Sequence, residues 1–248
     1  MPNANFLIIP AEGDSPETEY WYAAKLQRYY DCNSISVLSH SNNYDIGSGI
    51  FESIRQFFNE DRARRNSVFE VHAQGGLGAA CAYFMARRYP ENIERIFFIG
   101  GAPANAMTTP AKLFHRYVSL AWYYSKIPYF ADDPNPENDK TIAKIKASST
   151  KTMRRDPKLY CNQLRFIGEW NPMSRWRVPK NIEAFFVPNG DTVRPKWWDN
   201  TYDNKKAKSI WSKYGVKSTQ KPAYNFSFYS MMPAEALFEV MDIARENL

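Results

Sequence analysis

Short apolar runs along the chain alternate with stretches in which apolar residues recur every three or four positions. The runs 6–9 (FLII), 34–38 (SISVL), 67–71 (SVFEV) and 93–99 (IERIFFI) have strand length, and the first and last end at Pro10 and Gly100, so they predict buried strands. Between them, 45–59 carries Ile46, Ile50, Ile54, Phe57 and Phe58 on one helical face. Trp21, Ala24, Leu26 and Tyr29 give a helix opening at Ser15 or Pro16, and 78–89 gives another that stops at Pro90. Strands separated by helices of this length predict βαβ units, and so a parallel sheet covered on both faces.

The alternation breaks after Pro103. Residues 111–124, 140–154 and 158–170 are helical in pattern, flank the loop DDPNPEND and contain no convincing strand. Strand and helix then resume with 182–187, the loop PNGDTVRP, a Lys-rich helix over 202–214, a strand over 224–229 and a closing helix over 233–247. The predicted fold class is α/β: a mostly parallel, doubly wound core from residues 1–103 and 180–248, with a helical cap inserted over 104–179.

Composition narrows the class without changing it. The 248 residues are 44% hydrophobic and 23% charged, a globular balance. No apolar run approaches the ~18 residues of a spanning helix, and a strand from Phe6 is expected to leave no room for a signal peptide. Cys32, Cys81 and Cys161 are far apart and lack CxxC spacing, which predicts neither a disulfide framework nor a zinc site and favours a reducing compartment, the cytoplasm first. Charge is uneven: residues 1–103 hold 9 basic and 12 acidic side chains, whereas 104–248 hold 23 and 14. That basic second half, rich in aromatics, predicts a surface for a protein partner; nucleic acid is a weaker expectation, because no RNA- or DNA-binding motif accompanies it.

The chemistry-bearing stretch is 70–78, EVHAQGGLG. Val71-His72-Ala73-Gln74-Gly75-Gly76 follows a strand and opens a helix, 190–195 (GDTVRP) follows a later strand, and a helical insertion separates the two. In this order the chain resembles the capped α/β-hydrolase superfamily, in which a Gly-His-Ser-x-Gly turn presents a serine, an acid follows a later strand and a histidine precedes the last helix. The resemblance implies that Ala73 stands at the nucleophile, Asp191 at the acid and Ser230 near the histidine.

None of these can run a Ser–His–Asp mechanism, whose parts act as a unit. Ala73 has no hydroxyl, 225–236 (NFSFYSMMPAEA) holds no histidine, and the loop that would supply an oxyanion N–H reads Pro10-Ala11-Glu12-Gly13. No catalytic residue, cofactor or metal is expected. Cys81 is expected to pack in the core, and His40 and His115 to serve loop and packing roles. The expected function is a non-catalytic, hydrolase-like structural or adaptor subunit. The alternatives are a protein that binds a small apolar ligand under the cap through Pro10, Ala11, His72, Ala73, Gln74, Trp122 and Tyr123, and an ester hydrolase with unusual catalytic residues.

Overall fold

The computed structural model describes residues 4–14, 19–117, 156–188, 202–222 and 234–247. Their elements run β1 (Ala4–Ile9), α1 (Tyr20–Tyr29), β2 (Cys32–Val37), α2 (Ile46–Glu60), a single turn α3 (Arg62–Arg65), β3 (Phe69–Gln74), α4 (Gly75–Arg88), β4 (Ile93–Ile99), α5 (Thr109–Tyr117), α6 (Pro157–Glu169), β5 (Glu183–Val187), α7 (Asn204–Lys213), β6 (Lys217–Ser218) and α8 (Ala234–Glu246). The six strands form one sheet in the order β2-β1-β3-β4-β5-β6, every neighbouring pair parallel. This is the predicted α/β class. Of the predicted cap, 118–155 lies outside the described residues, as do the predicted helix 140–154 and the whole of the predicted strand 224–229. The described sheet also has the short strand Lys217–Ser218 beside β5, which the sequence pattern did not mark.

Strand alternation divides the core into two layers. Leu7, Ile9, Phe69, Val71, Ala73, Ile96, Phe98, Ala184 and Phe186 face α2, α4, α6 and α7, while Phe6, Ile8, Phe97, Ile99, Phe185 and Val187 face α1 and α8. Strands β1, β4 and β5 therefore read as nearly continuous apolar runs, because both of their faces are buried. Helix starts are fixed by carboxylates: Asp45 Oδ2 accepts from Ser48 Oγ at 2.7 Å, Asp156 caps the Leu159 N–H at 3.0 Å, and Asp203 caps the Lys206 N–H at 3.0 Å. Trp211, on the Lys-rich helix α7, is fully buried. It stacks on Phe98 at 4.3 Å and donates its indole N–H to the Gly101 carbonyl at 3.2 Å.

One row of charge crosses the α1–α8 layer. Glu70 on β3, Arg95 on β4 and Glu183 on β5 are register partners, and Arg95 bonds Glu70 at 2.8 Å and Glu183 at 2.6 Å. Arg245 of α8 clamps the same Glu70 carboxylate with two guanidinium nitrogens while also reaching Tyr30 and Asp242. His72 Nε2 lies 2.9 Å from Glu70, and Tyr22 of α1 lies 2.7 Å from His72 Nδ1. Burial disfavours the charge on Glu70, but bonding to His72 and the charge of Arg245 outweigh it and hold the carboxyl well below its usual range. An ionised Glu70 only accepts, so His72 donates from Nε2 and its Nδ1 accepts the Tyr22 hydroxyl. Burial keeps that imidazole neutral.

Two predictions follow from these buried charges. Arg245→Met leaves Glu70 short of a partner in a dry layer, so urea unfolding is expected to lose about 3–5 kcal/mol; a loss under 1 kcal/mol would contradict the clamp. The second concerns His115 of α5, whose Nδ1–H donates to the Leu164 carbonyl at 3.2 Å and whose pKa burial lowers to about 4. The unfolded chain takes up that proton near pH 6.5 while the folded chain refuses it, so this contribution to stability is present above pH 6.5 and lost as pH falls toward 4. Unfolding free energies at pH 7 and pH 5 are expected to differ by about 2 kcal/mol less in His115→Gln than in the parent chain.

Candidate functional site

β3 ends later than its sequence suggests. Gln74 still pairs with Ile99 of β4, its side chain donates to Glu19 at 2.9 Å, and its backbone is extended (φ −94°, ψ 136°). The turn into α4 is made by Gly75, at φ 62°, a conformation that costs a side-chain-bearing residue ~1–2 kcal/mol. Ala73, expected at the turn, is instead a strand residue paired with Ile9 and Phe98, its methyl buried in the larger core layer. The turn residue is thus two positions further on. The loop after β4 presses against it, since a Cβ on Gly101 would stand 1.9 Å from the Gly75 carbonyl oxygen.

Helix α4 starts immediately, so its first N–H groups have no partners within the helix. Glu12, in the loop after β1, supplies one: the Leu77 N–H donates to its carboxylate at 3.3 Å, and the Gly76 N–H also faces it. Burial raises the Glu12 pKa, and the N–H groups of Glu12 itself, Leu77 and Gly76 only partly offset this. The loop is held in place by the Gly13 N–H, which donates to Gln163 of α6 at 2.9 Å, and by the Asp14 N–H, which donates to the Ala11 carbonyl at 3.2 Å.

Tyr202 closes over the same turn. Met107 bridges it, the Asp203 N–H donates to the Ala106 carbonyl at 3.0 Å, and a Cβ on Gly76 would lie 2.7 Å from the Tyr202 hydroxyl. That hydroxyl is buried: the Ala102 N–H faces its oxygen, but its own proton has no acceptor among the described residues. Burial raises its pKa, and the nearby Glu12 charge raises it further.

A cysteine and a histidine lie on the other side of the Pro10 loop. The ring Nε2 of His40 is 2.8 Å from the Pro10 carbonyl, which accepts its N–H, and Nδ1 is 4.0 Å from the Cys81 sulfur. Cys81 is fully buried in α4, as expected, and burial pushes its thiol up, so it stays protonated. His40, Ser41, Leu77 and Gln163 line part of a shallow cleft of about 10 Å³, room for one water.

Of the residues expected to line a ligand pocket, Pro10 and Ala11 lie beside this turn. His72 and Gln74 point into the α1–α8 layer and are taken up by Tyr22, Glu70 and Glu19, which removes them from the turn. Asp191, Ser230, Trp122 and Tyr123 lie outside the described residues. Gly75, Glu12 and Tyr202 were not singled out by the sequence as site residues. Glu12 carries a signal all the same, a carboxylate in the loop where a hydrolase needs a bare N–H. Among the described residues no three His, Cys, Asp or Glu side chains converge as a metal site, and no helix is long and apolar enough to cross a membrane.

No family model matches the sequence, and no curated protein matches it either. Solved structures do match the fold. A lipase-esterase related protein from Clostridium acetobutylicum superposes with a TM-score of 0.69 at 12% identity, over 98% of this chain and 94% of that one. A hydrolase from Pseudomonas aeruginosa gives 0.63 at 12% identity, over 96% and 90%. The thioesterase from the prodiginine biosynthetic pathway of Streptomyces coelicolor gives 0.58 at 14% identity, over 99% and 88%. These likenesses establish the α/β-hydrolase fold.

If Gly75 is required at φ 62°, Gly75→Ala is expected to cost about 1–2 kcal/mol in urea unfolding. An unchanged midpoint would mean that the turn accepts a side chain.

Proposed function

We propose that this hydrolase-fold chain acts by binding rather than by bond cleavage, with Gly75 standing where a hydrolase presents its nucleophile. The observation that carries the reading is the turn itself: its positive-φ residue has no side chain, and the helix N–H groups beside it already hold Glu12. A triad stripped of one member can retain ~10³–10⁴-fold catalysis through its oxyanion hole. Here a carboxylate faces the place of that hole, so a developing oxyanion would meet negative charge. The fuller form of the reading is an adaptor subunit whose segment 104–179 forms a helical cap and whose basic second half meets a protein partner. It is supported by the net positive charge of residues 104–248 and by the exposure of Leu113, Tyr117 and Met173.

A second reading, an ester or thioester hydrolase of unusual mechanism, has two supports. The structural neighbours are themselves a lipase-esterase related protein, a hydrolase and a thioesterase. The Cys81–His40 approach also places a thiol beside an imidazole whose other nitrogen is fixed by Pro10.

One set of assays separates the two. Against p-nitrophenyl esters and acyl thioesters the chain is expected to give no turnover above buffer, and Gly75→Ser is expected to remain inactive because no histidine is in place to activate the serine. Turnover that Cys81→Ala and His40→Ala abolish would overturn the proposal in favour of the thiol reading. The adaptor form requires in addition that the chain co-purify with a stoichiometric protein partner from native extract.

A further inference from the structure

We propose that the N-terminus of α4 is a carboxylate-binding site that Glu12 fills in cis, and that a small free carboxylate exchanges with Glu12 there. The inference rests on the reading of the turn given above and names a ligand class for it. α4 spans 14 residues, and its first N–H groups lie at the end of the central strand. Helix termini favour anions of many kinds, so this feature alone selects no ligand.

Tyr202 supplies the selection. The residue is only 5% exposed, yet its hydroxyl proton has no acceptor among the described residues; the hydroxyl oxygen faces the Ala102 N–H, lies over Gly76 and is within reach of the Glu12 charge. Buried phenol hydroxyls are normally hydrogen-bonded, so an unmet hydroxyl proton beside a helix terminus marks a donor waiting for an acceptor. Glu12 arrives from the β1 loop and offers its oxygens to the N–H groups of Gly76 and Leu77, leaving Tyr202 unused. A free carboxylate, not tethered to that loop, can place one oxygen on the helix N–H groups and turn the other toward Tyr202. Three donors converging on two oxygens describe a carboxylate site better than a site for a neutral carbonyl.

The tether is suited to exchange. Glu12 is partly buried rather than sealed, and the next residue, Gly13, sits at φ 79° in a tight turn. Rotation about the Glu12 side chain frees the seat while β1 and the Gly13–Gln163 bond remain in place.

Acetate is the probe. Full-length wild type and Glu12→Ala are melted in sodium acetate and in sodium chloride of equal ionic strength. Expected is a lower Tm for Glu12→Ala in chloride, restored saturably by acetate with an apparent affinity at least tenfold tighter than in wild type. Adding Tyr202→Phe to that variant is expected to weaken acetate at least threefold. The inference is overturned if acetate and chloride act alike on Glu12→Ala, if its acetate affinity equals the wild type's, or if Tyr202→Phe has no effect. Should Glu12→Ala fail to fold, the Gly76 and Leu77 amide resonances of wild type are followed through an acetate titration. Saturable shifts at these amides support the site, and shifts no larger than those in chloride overturn it. The readout is binding without any ester present, so it can fail or succeed independently of the hydrolysis assays.

Discussion

The Glu70 carboxylate is the constraint on which the rest of this fold turns. It lies on the central strand with no exposure, and a bare carboxylate there would cost several kcal/mol. The groups that offset this come from four different places: Arg95 on β4, Arg245 on α8, His72 on β3 itself and, through His72, Tyr22 on α1. Arg95 then passes the interaction on to Glu183 of β5. Because Glu70, Arg95 and Glu183 are register partners, a slip of one residue in any of the three strands would turn a charge into the opposite, mainly apolar layer. A sheet that is otherwise a set of interchangeable apolar runs thereby acquires a single register.

That register determines where the turn from β3 into α4 falls. With Glu70 and His72 fixed toward α1 and α8, Gln74 faces the same way and is held there by Glu19, so β3 cannot end before Gln74. The chain must turn at Gly75, the first residue beyond that hold and one that accepts positive φ without strain. Close packing then follows: a Cβ on Gly78 would stand 2.9 Å from the Ile9 carbonyl oxygen, so α4 can press directly on the end of β1 and bring its first N–H groups to the Glu12 loop.

Much of this was legible in the sequence, and the part that was not has a physical reason. Strand β4 is found where the apolar run places it, and α2 differs from its pattern by one residue at either end, because a buried strand and a one-sided helix write distinct periodicities. The turn was misplaced by two residues because VHAQG and AQGGL both offer small residues around a strand-to-helix junction, and apolar spacing alone cannot choose between these frames. The choice is made by Glu70, Arg95 and Arg245, three charged residues in or near apolar runs whose partners are 25 and 175 residues away. A sequence pattern reports neighbours along the chain, so it placed Glu70 within the strand 67–71 without showing that it fixes the register. Tyr202 was hidden in the same way, since its relation to Gly76 exists only across the fold.

The Glu12 loop brings these constraints together. Once the register forces α4 to begin at the sheet's end, its leading N–H groups are partly dry, and leaving such a donor unmet costs about 1–3 kcal/mol. A hydrolase can leave them to water between turnovers because its substrate's oxyanion will use them. In this chain Gly75 puts no side chain at the turn, and the tethered Glu12 carboxylate meets the cost instead. Two opposing effects act on that carboxylate: the helix terminus favours its charge, and burial disfavours it more, which is why its pKa is raised rather than lowered. Glu12 is therefore a less comfortable anion than Glu70, which bonding to His72 and the charge of Arg245 hold far below its ordinary pKa. The same residue type thus plays two parts in one molecule: Glu70 is locked because its charge is overcompensated, and Glu12 is exchangeable because its charge is undercompensated.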